Sequence, residues 1–252
     1  MSTVVRHAMI LAAGLGTRMQ PLTGTTPKPL LSVAGRSLLD HALDRLREAG
    51  VETVVVNAHH HADQVMARLR ARAAKDGGKP VTILQSEPVL LDTGGAVLEA
   101  LNSGGLKRDA PFLVVNGDSF WLDGPTPALR RLIAAFDAQA ADVLLLVART
   151  ATVIGEVGSG DFAIDDGGRL RRRQENEIVP YMFAGVQLVS PALFDGSHHG
   201  TFSMNALWDE AIASGRIQAV VHDGPWFHLS RPADIAETER ALRDPLFGPT
   251  TT

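Results

Sequence analysis

Short, nearly continuous apolar runs alternate along this chain with longer stretches whose apolar residues recur three and four positions apart. The first texture is that of a strand covered on both faces, the second that of an amphipathic helix. "HAMILAA" (7–13), "VETVVVNA" (51–58), "VTIL" (81–84), "PFLVVNGD" (111–118) and "DVLLLVA" (142–148) are predicted strands. Between the first two, Leu39, Ala42, Leu43 and Leu46 define a helix face, with Ser37 as N-cap, Asp40 in the first turn and Gly50 at the C′ position. Further helices are expected over 62–72 with Val65, Met66 and Leu69 inward, from Gly94-Gly95 to Leu101, and over 127–137. From about residue 155 the texture changes. "GDFAIDDGGRLRRRQ" reads as a hairpin turning at Asp166-Gly167-Gly168. A strand at 182–189, a helix at 204–215, the strand "IQAVVH" (217–222) and a helix from Pro232 to Leu242 follow. Alternation with short connections predicts an α/β fold: a Rossmann-like, doubly wound sheet, mixed but mainly parallel. A single domain over 1–243 and a frayed tail at 244–252 are expected.

Composition narrows the function classes. At 252 residues the chain is ample for a sizeable core. A formal net charge of −4 gives no basic footprint for nucleic acid, so an anionic ligand would need local cations. There is no cysteine, which removes disulfides, thiol catalysis and thiolate metal sites and fits a reducing cytoplasm. Residues 1–13 read as a first strand, not a signal, and no run approaches about 18 apolar residues, so no membrane span is expected.

In open α/β sheets ligands bind beyond the carboxyl ends of the strands. Three polar stretches fall there: 14–28, 85–95 and 116–118. In the first, Gly14 and Gly16 let the backbone approach a ligand with its amides exposed. Arg18 offers a fork suited to phosphate, and Lys28 is presented between Pro27 and Pro29, which fix the local backbone. Met19 stands where a dinucleotide fingerprint needs its third glycine, and no Gly-Lys-Ser/Thr is present. The loop reads instead as a cradle for a polyphosphate. His59-His60-His61 lacks i, i+4 spacing with a carboxylate and reads as a polar loop.

The stretch "LAAGLGTRMQPLTGTTPKPLLSVAGRSLL" (11–39) resembles the opening signature of the sugar-1-phosphate nucleotidyltransferases, the pyrophosphorylases that join a nucleoside triphosphate to a sugar 1-phosphate. The resemblance continues in "DTGGAVLEAL", "FLVVNGD", "GSGDF", "FAGVQLVSPALFDG" and "ADIAETE" and covers nearly the whole chain. Size and the Thr93-Gly94-Gly95 form look most like the N-acetylmuramate-1-phosphate uridylyltransferases of cell-wall recycling, with mannose-1-phosphate guanylyltransferases as the nearest competitors. The resemblance implies a nucleotide-binding half over about 1–120 and a sugar-binding half over about 121–243. It implies that Leu11, Ala12, Ala13, Gly14, Gly16 and Thr17 wrap the nucleotide, and that Arg18 contacts its β- and γ-phosphates. Lys28 would hold the reacting phosphates, Glu87 and the Gly94-Gly95 backbone would face the base, and Asn116 would approach the sugar. Asp118 would bind Mg²⁺, and Ala184-Gly185 would floor the sugar pocket. Arg18, Lys28 and Asp118 are then the catalytic set, acting on small-molecule substrates in the cytoplasm.

Two departures from the family pattern stand out. Where the family carries a second metal carboxylate in a W-x-D-x-G motif, this chain has "WFHLSRPAD", with His228 in place of Asp. Mg²⁺ prefers oxygen ligands, whereas imidazole suits softer ions. Three readings are open: Asp118 and the nucleotide phosphates hold Mg²⁺ while His228 contacts phosphate or accepts another divalent ion; Asp223 or Asp234 takes over; or the site is degraded and the chain only binds a nucleotide sugar. The family's sugar-phosphate lysine also has no clear counterpart. Arg171-Arg172-Arg173 lie where a cation is wanted, with one arginine aimed inward from its strand and a solvated hairpin as the alternative for any of them.

Overall fold

Side chains alternate across each strand, so an apolar run must find cover on both of its faces. The computed structural model, which describes residues 4–166, 168–196 and 199–244, supplies that cover with helices. β1 (His7–Leu11) leads through a small hairpin, β2 (Ser32–Val33) and β3 (Arg36–Ser37), to α1 (Leu38–Glu48). Then come β4 (Thr53–Ala58), α2 (Ala62–Lys75), β5 (Val81–Ser86), α3 (Asp92–Asn102), β6 (Phe112–Asn116) and β7 (Phe120–Trp121). The chain continues with α4 (Ala128–Ala135), β8 (Val143–Arg149), β9 (Phe162–Ile164), β10 (Leu170–Arg172) and β11 (Tyr181–Val189). It closes with α5 (Met204–Ala213), β12 (Ile217–Val221), β13 (Trp226–Phe227) and α6 (Pro232–Ala241).

Among the described residues nine strands form one sheet. β6, β1, β4 and β5 lie side by side and parallel, so Asn116, Leu11, Ala58 and Ser86 end on one edge. β11 runs antiparallel between β6 and β8, and β12 pairs parallel with β8. Apolar periodicity carries no strand direction, which is why the reversal of β11 is not readable from sequence. Ala8, Ile10, Val54, Val56, Leu113 and Val115 meet α1, α2 and α4 on one face. Met9, Val55 and Val114 meet α3 and α5 on the other. A third cluster, with Val33, Phe120, Phe227, Leu229 and Leu242, ties the two-stranded ribbon β7–β13 and α6 to the edge of the site.

The caps act as expected. Ser37 Oγ accepts from the Asp40 amide (3.1 Å), and Gly50 turns the chain out of α1 at φ 89°. On α2, Val65 and Leu69 are buried and Met66 is half-buried. β9 and β10 form the expected hairpin, Leu170 opposite Ile164. Gly167 of its turn and residues 245–252 of the expected tail lie outside the described residues.

β11 carries a register shift between Phe183 and Val186, where Gly185 has φ 77°. A Cβ there would lie 1.8 Å from Ser119 Oγ and 3.3 Å from Asn116 Cβ. Gly185→Ala is therefore expected to cost about 1–3 kcal/mol from the backbone conformation and more from the collision. That corresponds to a fall of at least several degrees in Tm at about 2–4 °C per kcal/mol. An unchanged Tm would contradict the bulge geometry.

Burial lowers the pKa of three imidazoles, His41, His222 and His228. Each binds a proton less readily folded than unfolded, so stability is full above the ordinary histidine value of about 6.5 and falls as pH drops below it. The urea midpoint is expected to be lower at about pH 5.5 than at about pH 7.5; an equal or higher midpoint at the acid end would contradict this.

Candidate active site

The carboxyl edge of β6–β1–β4–β5 opens into a cavity of about 450 Å³. After β1 the chain must turn tightly without covering that edge. Gly16 does this in the left-handed region (φ 61°, ψ 30°), starting the 3-10 turn Thr17–Met19. A Cβ on Gly16 would sit 2.9 Å from Thr23 Cγ2 and 3.3 Å from Lys28 Cβ, so the loop folds against Lys28 only with glycine here. Thr23 Oγ1 donates to the Gly16 carbonyl (2.9 Å), and Met19, 1% exposed, pins the turn. Leu11, Ala12, Ala13, Gly14, Gly16, Thr17 and Arg18 all line the cavity.

Past a further 3-10 turn, Leu22–Gly24, Lys28 begins a third, Lys28–Leu30, directly after Pro27. Its Nζ donates to Asp118 Oδ2 at 2.7 Å, with the lysine side chain 12% exposed and the aspartate 39%. Gly117 allows this approach: its amide donates to the Leu11 carbonyl (2.8 Å), and a Cβ would meet that same oxygen at 2.9 Å. Asn116, at the end of β6 beside Leu11, lines the cavity together with Lys28 and Asp118.

Sequence reasoning missed Asn57. This residue, 3% exposed, accepts from the Ala12 amide (2.7 Å) and donates to Glu87 Oε1 (2.8 Å). Glu87 Oε2 in turn accepts from the Leu91 amide (3.2 Å), and the Glu87 carbonyl contacts His59 Nδ1 (2.7 Å). One network thus fixes the ends of β1 and β4 and the loop after β5. The signal was present: Asn57 is a polar residue closing an otherwise apolar strand, where a buried amide must find partners. Glu87 lines the cavity, and His59 Nδ1 is engaged by the loop after β5.

Gly94 and Gly95 require a correction. They do not line the cavity; both amides donate to the Phe202 carbonyl (2.9 and 3.0 Å). A Cβ on Gly94 would strike the Phe202 ring at 2.3 Å, and one on Gly95 the Gly200 carbonyl oxygen at 2.3 Å. The pair lets α3 pack against the segment before α5, and Asp92 and Thr93 form the cavity wall instead. Ala184 and Gly185 also need correcting: they line neither this cavity nor the next. Ala184 is fully buried with its carbonyl on Trp226 Nε1 (3.0 Å), so the bulge supports Asn116 and Ser119 from behind.

A second cavity of about 330 Å³ adjoins the first and shares Leu11, Thr93 and Asn116 with it. Phe162, Phe183 and Trp208 line it with Asp161, Gln187 and Arg172. Trp208 belongs to the core and also faces this cavity, while its Nε1 donates to Gln187 (2.9 Å). Of the three arginines, Arg171 pairs with Glu177 (2.6 Å) and Arg173 donates to the Gln174 carbonyl, while Arg172 lines the cavity.

His228 does not line the first cavity, whereas Ser230, two residues on, does. Its amide donates to the Ile154 carbonyl (2.8 Å), and its ring lies 5.7 Å from that of Trp226. Burial is the main cause of its lowered pKa, helped by the charges of Lys28 and Arg18 and opposed by Asp234 and Asp118. The imidazole is neutral at pH 7. Asp234 Oδ2 is taken by the Ser230 and Arg231 amides (2.7 Å each) at the start of α6, and Asp223 pairs with Arg131 (2.8 Å). Among the described residues no group of three or more His, Asp or Glu side chains is arranged to hold a metal. The donor set still fits Mg²⁺, which takes one or two carboxylates and completes its shell with water and substrate phosphates. Asp118, part exposed beside the glycine loop, is such a carboxylate; the neutral nitrogen of His228 is not such a ligand.

Comparison with known proteins agrees with this geometry. Residues 8–223 match the MobA-like NTP transferase domain. The chain is 40% identical over 244 residues to the N-acetylmuramate alpha-1-phosphate uridylyltransferase of Caulobacter vibrioides, covering 97% of this chain and 100% of that protein. It is 34% identical to the protein of the same name from Neisseria meningitidis, covering 92% and 96%. A UDP-glucose pyrophosphorylase solved with UDP-glucose superposes with a TM-score of 0.75 at 16% identity, over 94% of this chain and 98% of that one, and so shares the fold. The chain belongs to the MobA-like NTP transferase family and, within it, to the sugar-1-phosphate nucleotidyltransferases.

Proposed function

We propose that this chain transfers the uridylyl group of UTP to N-acetylmuramate 1-phosphate and releases pyrophosphate. The observation that carries the reading is the pair of adjoining cavities. The first has exposed glycine-loop backbone and two cations, as a triphosphate needs; the second has an aromatic lining with polar side chains, as a sugar needs. They meet at Leu11, Thr93 and Asn116, beside Lys28 and Asp118, where the two phosphates must react. The relatives named for N-acetylmuramate alpha-1-phosphate support the choice of base and sugar.

The chemistry demands little of a general base. A sugar 1-phosphate, with a second pKa of about 6, is largely dianionic at neutral pH and is already a nucleophile. The obstacles are repulsion between two anions and charge growing on the departing pyrophosphate. Lys28, aimed by Asp118, draws the reacting phosphates together, and Arg18 takes charge from the β- and γ-phosphates. The wall formed by Glu87, Asp92 and Thr93 faces the base. Mg²⁺, when bound, would be held by Asp118 and the substrate phosphates and would add positive charge against the same obstacles.

Pyrophosphate release measured for UTP, GTP, ATP and dTTP against N-acetylmuramate, mannose and glucose 1-phosphates tests this. The expected leader is UTP with N-acetylmuramate 1-phosphate. GTP with mannose 1-phosphate in the lead would make the chain a guanylyltransferase. Tight binding without turnover under any divalent ion would make it a nucleotide-sugar-binding protein.

A further inference from the structure

An acidic sugar phosphate presents two anionic ends, and each needs a partner. N-acetylmuramate 1-phosphate carries a phosphate on C1 and, across the ring, a lactyl carboxylate. Lys28 and Arg18 line only the first cavity, where the phosphate must lie for its oxygen to reach the α-phosphorus. Arg172 lines only the second, and among the described residues it is the one cation there.

Arg172 is held as a recognition group would be. Its Nε donates to Asp209 Oδ1 (2.7 Å), and Nη2 donates to Asn205 Oδ1 (2.9 Å) and to the Asn205 carbonyl (3.2 Å). The guanidinium carbon lies 5.0 Å from the centroid of Phe162 and 5.4 Å from that of Trp208. These contacts fix the plane of the fork and leave Nη1 without a hydrogen bond to the described residues. Asp209 is 60% exposed, so its partial neutralisation of the arginine is screened by solvent. The other ionisable group at this cavity, Asp161, already accepts from the Phe183 amide (2.8 Å) and is an acceptor for hydroxyls, not a partner for an acid.

We infer that Arg172 is a specificity residue that reads a carboxylate on the sugar, remote from the reacting phosphate, and so selects acidic sugar 1-phosphates over neutral ones. This rests on the proposed reading of the two cavities. A site that holds a polar group ready for a substrate's own polar group rejects an analogue lacking it more strongly than an apolar site does, and Arg172, 32% exposed, is held in that way.

The test uses two substrates that differ only in the lactyl group, N-acetylmuramate 1-phosphate and N-acetylglucosamine 1-phosphate, each with UTP and Mg²⁺. Arg172→Met is expected to lower kcat/KM for the first by about 100-fold or more and to leave the second within about threefold, collapsing the preference of the parent enzyme. Arg172→Lys, which keeps the charge but not the fork, is expected to restore part of the preference. Equal losses on both substrates would overturn the inference and assign Arg172 to their shared phosphate or to the fold. An unchanged preference would overturn it as well. The parent enzyme separates the two levels: no turnover of N-acetylmuramate 1-phosphate overturns the proposed function, and this inference with it, before any variant is made.

Discussion

Lys28→Met is expected to reduce turnover by about 10²–10³-fold while leaving the protein folded. The magnitude is that of removing one preorganised electrostatic donor from a developing charge. Methionine matches the length of the lysine stem, which is largely buried against Gly16 and the loop, so packing is retained. The partner left behind, Asp118, is part exposed and rehydrates, so the thermal midpoint is expected to stay within a few degrees of the parent. A loss confined to KM would contradict a role in the reacting phosphates' charge, because uniform binding raises no barrier when removed. Steady-state kinetics with saturating UTP, together with a melting curve, decide the matter.

Asp118→Asn is the second large effect. The substitution keeps shape and removes one charge from the edge where β6 ends and Lys28 arrives. Turnover is expected to fall at least about 100-fold, and the Mg²⁺ concentration for half-maximal rate to rise, because an amide oxygen is a weaker ligand than a carboxylate. Asp118 and Lys28 touch at 2.7 Å, so the double variant is expected to lose much less than the product of the two single losses. Near-normal turnover by Asp118→Asn would remove the aspartate from the mechanism.

These two residues show how far the sequence is legible. Gly14, Gly16, Arg18 and Lys28 sit close together in the chain, and the prolines around Lys28 limit where its side chain points. Local chemistry is enough to assemble them. Asp118 needs only the rule that strand ends share an edge. Other members of the site depend on contacts that sequence order hides. Asn57 joins Ala12 and Glu87, from three separate strand ends. Gly94 and Gly95 look like ligand-facing glycines until Phe202, more than a hundred positions away, is found against them. A glycine signals close approach, not what approaches. Ala184-Gly185 is a similar case: the bulge is required by Ser119 and Asn116 behind it rather than by a ligand in front. Arg171 and Arg172 end β10 and Arg173 follows it, and Arg172 is singled out only once the position of α5 is known.

His228 stands where the resemblance implies a second metal carboxylate, and the structure shows what surrounds it. The imidazole is half-buried and neutral, tilted against Trp226 and outside the cavity lining, while the neighbouring carboxylate of Asp234 is spent on the start of α6. In the proposed reaction the metal would then be held by Asp118 and the substrates' own phosphates.

In the proposed reaction two phosphates meet between the cavities and UTP is split between its α- and β-phosphorus. Phosphorus-31 NMR of the protein with UTP, N-acetylmuramate 1-phosphate and Mg²⁺ tests it directly. The UTP and sugar-phosphate signals are expected to disappear in step with the appearance of pyrophosphate and of two coupled resonances from a nucleoside diphosphate sugar. Inorganic phosphate as the product, or an unchanged spectrum with both substrates bound, would contradict it.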